Sequence, residues 1–198
     1  MGVSAGVSTR LLPLMLEALG QRSPGVEVRL EAECSADALQ RLTAGTLDIA
    51  VVAGPQPAVA DIVLTPWRTD TMVALLPAAW NAPAQVTPGW LAERRWASFA
   101  PATQMHGLIA GWFGQAGYHP RPFLTLTYPG ALKSLAAASQ SAALLPLEEV
   151  EDQRGAPGVD IRPLHPPLLR PMAVAHRRLT VPNPAVEAVL QVLAAFGS

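Results

Sequence analysis

The chain has 198 residues, half of them hydrophobic and 15% charged, enough to bury a core in one domain or two small lobes and too apolar for a disordered segment. Fourteen basic residues stand against fifteen acidic ones, a formal net charge of -1, so the chain does not read as a domain that itself grips a phosphate backbone, which usually shows a concentrated basic face. A single cysteine, Cys34, excludes an intramolecular disulfide, a two-cysteine redox switch and a thiolate metal cluster. The close basic pairs Arg94–Arg95 and Arg177–Arg178 read as solvated loop or strand-end charges.

In chain order, Ser8 or Thr9 caps an expected first helix, whose apolar positions Leu11, Leu12, Met15, Leu16 and Leu19 recur at helical spacing. Ser23-Pro24-Gly25 ends it. Val26, Val28 and Leu30 alternate with Glu27, Arg29 and Glu31 and predict a strand. Ser35 is the expected cap of a second helix that Gly45 stops, and Leu47 to Val52 follows as a buried strand. Met72 to Leu76 is a further expected strand. The order then repeats. Trp96 to Phe99 reads as a strand, Pro101 to Gln104 as a loop, Met105 to Ala116 as a helix stopped at Gly117, and Phe123 to Thr127 as a strand. A helix from Gly130 to Ala138 leads into the strand Ala142 to Leu145, closed by Pro146. Gly155 to Pro171 reads as loop around a short strand, Ile161 to Leu164, and Met172 to Ala175 as another strand. A last helix has Asn183 as cap, Pro184 as its first residue and Val186, Val189, Leu190, Leu193 and Phe196 as its stripe.

Strands alternating with helices at this spacing imply parallel sheets covered by helices, and two such runs imply two lobes. The expected class is α/β, with two Rossmann-like lobes joined by two crossover strands. Lobe 1 is residues 1–70 plus 172–198, and lobe 2 is residues 71–171.

Gly2-Val3-Ser4-Ala5-Gly6-Val7-Ser8-Thr9-Arg10-Leu11-Leu12-Pro13, then Ser23-Pro24-Gly25-Val26, then Leu42-Thr43-Ala44-Gly45-Thr46-Leu47-Asp48-Ile49-Ala50-Val51 together resemble the opening of the effector-binding domain of LysR-type transcriptional regulators. That family has "LLP", "PGV" and "L-x-x-G-x-L-D-hydrophobic-A" in this order. Leu75-Leu76-Pro77 and the run from Leu135 to Pro146 stay in step, so the resemblance covers the whole chain, and the Gly45-to-Ala50 match carries its specificity. Ser139 and Ser141 stand where the family commonly has glycine. The resemblance implies a type II periplasmic-binding-protein-like fold and a cytoplasmic effector-sensing domain. It also implies side-by-side homodimers of the domain, tetramers of the full regulator, and DNA contact only through an N-terminal winged helix-turn-helix absent from this sequence, which reads as an excised fragment.

In open parallel sheets ligands bind beyond the carboxyl ends of the strands, where loops enter helices. In lobe 1 those loops carry Ser4, Ala5, Gly6, Ser8 and Ser35; in lobe 2 they carry Pro101, Thr103, Gln104 and Tyr128. Helix starts with small hydroxyls suit a small organic anion, the expected effector, held in a cleft the two lobes share. Ser35 is open between helix cap and ligand contact, as are Thr103 and Gln104; Ser4 and Ser8 enter through the resemblance. Arg68 reads as exposed and Cys34 as an inert thiol. The four histidines show no metal-ligand spacing, and no G-x-S-x-G, Walker or dinucleotide motif is present, so neither enzyme, metal nor cofactor is expected. No apolar run reaches the roughly 18 residues of a membrane span. The rival reading is a free-standing solute-binding protein of a transporter with the same fold. Its export signal is missing from the start of this chain.

Overall fold

Five consecutive buried residues, Ile49 to Ala53, fix the middle of the first half of the molecule. Successive side chains of a strand point to opposite faces, so an all-buried strand must be covered on both. Ile49, Val51 and Ala53 pack on one side with Met15, Leu19, Val186, Val189 and Leu193. Ala50 and Val52 pack on the other with Ala38, Leu39 and Leu42.

The computed structural model describes residues 1–4, 11–178 and 181–197. Its elements run β1 (Gly2–Ser4), α1 (Leu11–Arg22), β2 (Glu31–Glu33), α2 (Ser35–Ala44), β3 (Ile49–Ala53), β4 (Ile62–Pro77), α3 (Pro88–Ala92), β5 (Trp96–Phe99), α4 (Gln104–Gln115), β6 (Leu124–Leu126), α5 (Pro129–Ala137), β7 (Ala142–Pro146), α6 (Leu147–Val150), β8 (Val159–Pro163), β9 (Leu169–Arg177) and α7 (Pro184–Ala195). The chain divides into two compact units, unit 1 of residues 1–69 and 171–198 and unit 2 of residues 70–170. The long strands β4 and β9 each run from one unit into the other.

In unit 1, β1 pairs in parallel with both β2 and β3, and β3 pairs antiparallel with β9, Val51 opposite Val174. In unit 2, β5 lies between β6 and β7, parallel to both, and β7 and β8 flank β4 antiparallel. The core of unit 2 joins Leu75, Leu76, Trp96, Phe99, Ile109, Phe113, Leu132 and Leu145.

Three elements differ from the sequence reading. The strand expected over Val26 to Leu30 is displaced to Glu31–Glu33, where the ladder with β1 forms, in register Gly2 to Glu31 and Ser4 to Glu33. Val26 and Val28 still pack half-buried against the core, so their alternation reports a buried face without a ladder. β4 extends ten residues before Met72 despite Pro66, over a stretch that the sequence reading left unassigned, and β9 starts at Leu169 despite Pro171, inside the stretch read as loop. Ser35 is not the cap of α2. Cys34 holds the extended cap conformation, and the Ser35 hydroxyl, buried one residue later, accepts a hydrogen bond from Ala53 N at 3.1 Å. The expected caps Ser8 and Thr9 lie outside the described residues.

Other local rules hold. Gly45 ends α2 with φ 75°, where a side chain would be strained. The Asn183 carboxamide accepts from Ala185 N and Val186 N at the start of α7. Near its other end Leu193 O accepts both the Phe196 backbone N–H, at 3.0 Å, and the Trp67 indole, at 2.7 Å. Arg41 of α2 ties down β2, bonding Glu31 and, at 2.9 Å, Glu33; the bond to Arg41 holds the Glu31 carboxyl below its usual range.

The two serines at the family's glycine positions each carry a cost. Ser139 follows α5 with φ 57°, a left-handed conformation that glycine adopts freely. The Ser141 hydroxyl is buried and without a hydrogen-bond partner. Ser139→Gly and Ser141→Ala are each expected to raise the stability of the folded chain by about 1 kcal/mol, read as an increased denaturation midpoint at unchanged slope.

Candidate functional site

In unit 2 two parallel strands end together. β5 and β6 are in register from Ala97 opposite Leu124 to Phe99 opposite Leu126, and beyond them Ala100 N donates to Leu126 O at 3.0 Å. From that edge the chain turns into α4 through Ala100 to Thr103, and into α5 through Thr127 and Tyr128. Both helix starts therefore follow the carboxyl ends of neighbouring strands.

Thr103 is a built cap. Its hydroxyl donates to Ala100 O at 2.7 Å and accepts from His106 N at 3.2 Å. The His106 ring then folds back over the strand end, with Nδ1 3.1 Å from Phe99 O and 3.5 Å from the hydroxyl of fully buried Ser98. A carbonyl only accepts, so Nδ1 is the donor in this contact. Gln104 begins α4 and is exposed, as is Pro101 in the preceding turn.

The start of α5 is built differently. Tyr128 is the cap residue by backbone conformation, yet its side chain accepts no hydrogen bond from the helix. Its ring is 60% exposed and lies over the first turn, where a Cβ on Gly130 would fall 2.8 Å from Tyr128 Cε2. Pro129 removes one orphan donor, and those that follow are left to solvent or ligand.

Beneath α4 sits a buried ion pair. Arg170, 2% exposed, donates from Nε to Asp70 Oδ2 at 2.9 Å and from Nη2 to the same oxygen, while Nη1 approaches the Met105 sulfur at 3.9 Å. Met105 is the second residue of α4, so this pair supports the helix whose cap faces the strand edge.

Buried Glu149 senses the same pair. Burial pushes its carboxyl above the usual range, with the charges of Arg170 and Lys133 drawing it partly back and Asp152 and Glu148 adding to the rise. A raised folded-state value means the folded chain holds this proton more tightly than the unfolded one. The contribution to stability is full below the ordinary glutamate value and is lost as pH rises through the raised one. Glu149→Gln is therefore expected to be more stable than the native chain at neutral pH, the gap closing as acid protonates Glu149. Denaturation midpoints of both proteins along a pH series check this.

Among the expected site residues, the structure brings Pro101, Thr103, Gln104 and Tyr128 to one edge of unit 2. Ser35 lies in unit 1 at the end of β2, where its hydroxyl is engaged by Ala53 N. Ala5, Gly6 and Ser8, and the side chain of Ser4, lie outside the described residues. Sequence reasoning missed His106 and the Arg170–Asp70 pair. Their signals were a histidine three residues past a cap and charged residues inside otherwise apolar strands. Within unit 1 a hollow of about 270 Å³, lined in part by Val26, Asp48, Asn183 and Val186, sits at the amino ends of β1 and β3. Among the described residues no cluster of three or more His, Cys, Asp or Glu is placed to hold a metal ion. Among the described residues no helix is long and apolar enough to cross a membrane.

The family model for the LysR substrate binding domain matches residues 1–197. No curated protein sequence matches the chain significantly. Among solved structures, a full-length OxyR variant from Pseudomonas aeruginosa is similar at 21% identity and TM-score 0.83, over 98% of this chain and 67% of that one. Full-length CbnR in complex with its target DNA is similar at 16% identity and TM-score 0.83, over 99% of this chain and 69% of that one. The effector-binding domain of QuiR in complex with shikimate is similar at 14% identity and TM-score 0.84, over 99% of this chain and 94% of that one. At these identities the likeness establishes the type II periplasmic-binding-protein-like fold; the family rests on the match over nearly the whole chain. The chain belongs to the LysR substrate-binding domain family and is an effector-sensing domain of LysR-type transcriptional regulators.

Proposed function

We propose that the chain senses a small organic anion, and that Thr103, Gln104 and Tyr128 at the carboxyl edge of β5 and β6 form part of the ligand site, with Pro101 shaping the turn. The carrying observation is the pairing of β5 with β6 through Phe99 and Leu126, which sets two helix starts at the carboxyl ends of neighbouring strands. Each helix start favours a negative group by about 0.3–1 kcal/mol when exposed, and both are needed together with apolar contacts to approach the roughly 8 kcal/mol of micromolar binding. QuiR, a structural neighbour, holds shikimate, a ligand of this chemical kind. In unit 1, Ser35 and the loop with Ser4, Ala5, Gly6 and Ser8 belong to the same reading. So do lobe-wise sensing, a non-enzymatic role, a cytoplasmic setting, homodimers, tetramers of a full-length regulator, and DNA contact through a separate domain. The family match favours this over the transporter solute-binding protein.

Calorimetric titration of the chain with a panel of aromatic and aliphatic carboxylic acids tests the proposal. At least one acid is expected to bind, and Tyr128→Ala to weaken it about tenfold while the unliganded midpoint stays near native. If no acid in the panel binds, or if the binding acid ignores changes at Thr103, Gln104 and Tyr128 alike, the reading fails.

A further inference from the structure

We propose that unit 1 carries a second small-molecule site, for an uncharged aromatic compound with one hydrogen-bond donor, of the size of a phenol or an indole. It is a hollow of about 410 Å³ between β4, β9 and the second half of α7, lined chiefly by Thr65, Trp67, Val174, His176, Leu190 and Ala194. All six belong to unit 1, so the proposal does not depend on the ligand reading of unit 2.

Strand alternation builds the floor. β4 and β9 are neighbours in the sheet. Thr65 and Trp67 on one, and Val174 and His176 on the other, stand two positions apart, so each pair shares a face. Leu190 and Ala194, four positions apart on α7, form the wall. The bond from the Trp67 indole to Leu193 O locks the ring against that helix. Gly197 packs on the same residue, where a Cβ would fall 2.8 Å from Trp67 O. Trp67 and Val174 are 7% and 6% exposed, whereas Thr65, Pro66 and Ala194 are exposed, so a fixed apolar base lies under an open rim. A preformed, mostly apolar concavity of roughly 300–1,000 Å³ with a few polar groups is the usual form of a small-molecule site. An aromatic ring also gains contact with the Trp67 indole beyond its area burial.

The surroundings select an uncharged occupant. Among the described residues that line the hollow none is Lys, Arg, Asp or Glu, so an ionised group would lose hydration without gaining a partner. Arg68 alternates to the other face of β4, and its guanidinium carbon lies 5.1 Å from the Trp67 ring centre, bracing the ring from outside the lining. The last turn of α7 has no basic residue, and a helix C-terminus carries partial negative charge. That end disfavours a carboxylate and favours an N–H or O–H donor, the reverse of the helix starts beyond β5 and β6. The polar side chains of the site are the Thr65 hydroxyl and the His176 ring, which is held by the contact of Nδ1 with Arg177 O at 2.8 Å. β4 and β9 both continue into unit 2, so an occupant here grips the two strands that connect the units.

The test titrates the whole isotope-labelled chain with p-cresol, and separately with its carboxylate counterpart p-toluate, up to millimolar concentrations, followed by NMR. p-Cresol is expected to shift, saturably, the Trp67 indole N–H and the amides of Val174 to His176 and of the second half of α7. p-Toluate is expected to bind at these positions about tenfold more weakly or less. Ala194→Trp, a change at an exposed position that fills the hollow, is expected to weaken p-cresol about tenfold or more with the thermal midpoint near native. Leu190→Ala, which removes the apolar wall, is expected to weaken it several-fold, and Tyr128→Ala to leave it unchanged. The proposal is overturned if p-cresol gives no saturable shift at these positions, or if p-toluate binds there as well as p-cresol does. It is equally overturned if neither Ala194→Trp nor Leu190→Ala weakens p-cresol, or if Tyr128→Ala abolishes its shifts, which would move the phenol to the edge of β5 and β6.

Discussion

Asp70→Ala is expected to remove about 3–5 kcal/mol of folding stability, the cost of leaving a buried guanidinium without its carboxylate. Asp70 and Arg170 are 6% and 2% exposed, and two nitrogens of Arg170 converge on one carboxylate oxygen. Desolvation has already been imposed on both charges by the strands that carry them, so loss of one partner cannot be offset by water. Arg170→Met alone should be destabilising for the mirrored reason. The double variant should lie closer to the native chain than either single one, because it removes both desolvated charges and leaves an apolar patch beside Met105. Guanidinium denaturation of the four proteins completes the cycle. Additive losses in the double variant would show that the pair does not act as a unit. Asp70 and Arg170 are also the first and last residues of unit 2, so the pair clips β4 to β9 where both strands leave that unit. A loosened clip also releases Met105, and with it the helix start that Thr103 caps.

Much of the framework was legible because it rests on short-range rules. Trp96 to Phe99, Ala142 to Pro146 and the Asn183-Pro184 helix start follow from apolar runs, breakers and caps that act over a few residues. The displaced β2 was not legible, since which residues of the Val26–Glu33 stretch join a ladder is decided by the three residues of β1. At the candidate site the loops were legible and their bonding was not. Nothing near Ser35 in sequence announces Ala53 N as its donor, eighteen positions away, and nothing near Asp70 announces Arg170, one hundred positions on. Thr103 and Ser35 look alike as hydroxyls before helices. One caps its helix, and the other, shifted by one residue, points its oxygen at a neighbouring strand.

Phe113→Ala should cost a further large amount, about 3–5 kcal/mol, and should do so in unit 2. Phe113 is fully buried, with ring centres 4.9 Å from Trp96 and 5.1 Å from Trp112, so it joins α4 to β5 across the core. Its backbone carbonyl accepts from Tyr118 N, closing the end of α4 into the loop that leads to Phe123. Removing the ring leaves a cavity between two tryptophans that a β-strand and a helix hold apart, and neither can collapse far without breaking its ladder or its caps. Four of the five tryptophans, Trp80, Trp90, Trp96 and Trp112, belong to unit 2, and Trp67 belongs to unit 1. Hydrogen exchange followed along the chain resolves where the loss falls. Amides of β5, β7 and α4 should exchange faster in the variant, while those of β3 keep their protection if each core supports its own unit. Uniform acceleration across β3 and β5 alike would instead show that the two cores unfold as one, and would remove the basis for assigning α4 a stability of its own beneath the proposed ligand edge.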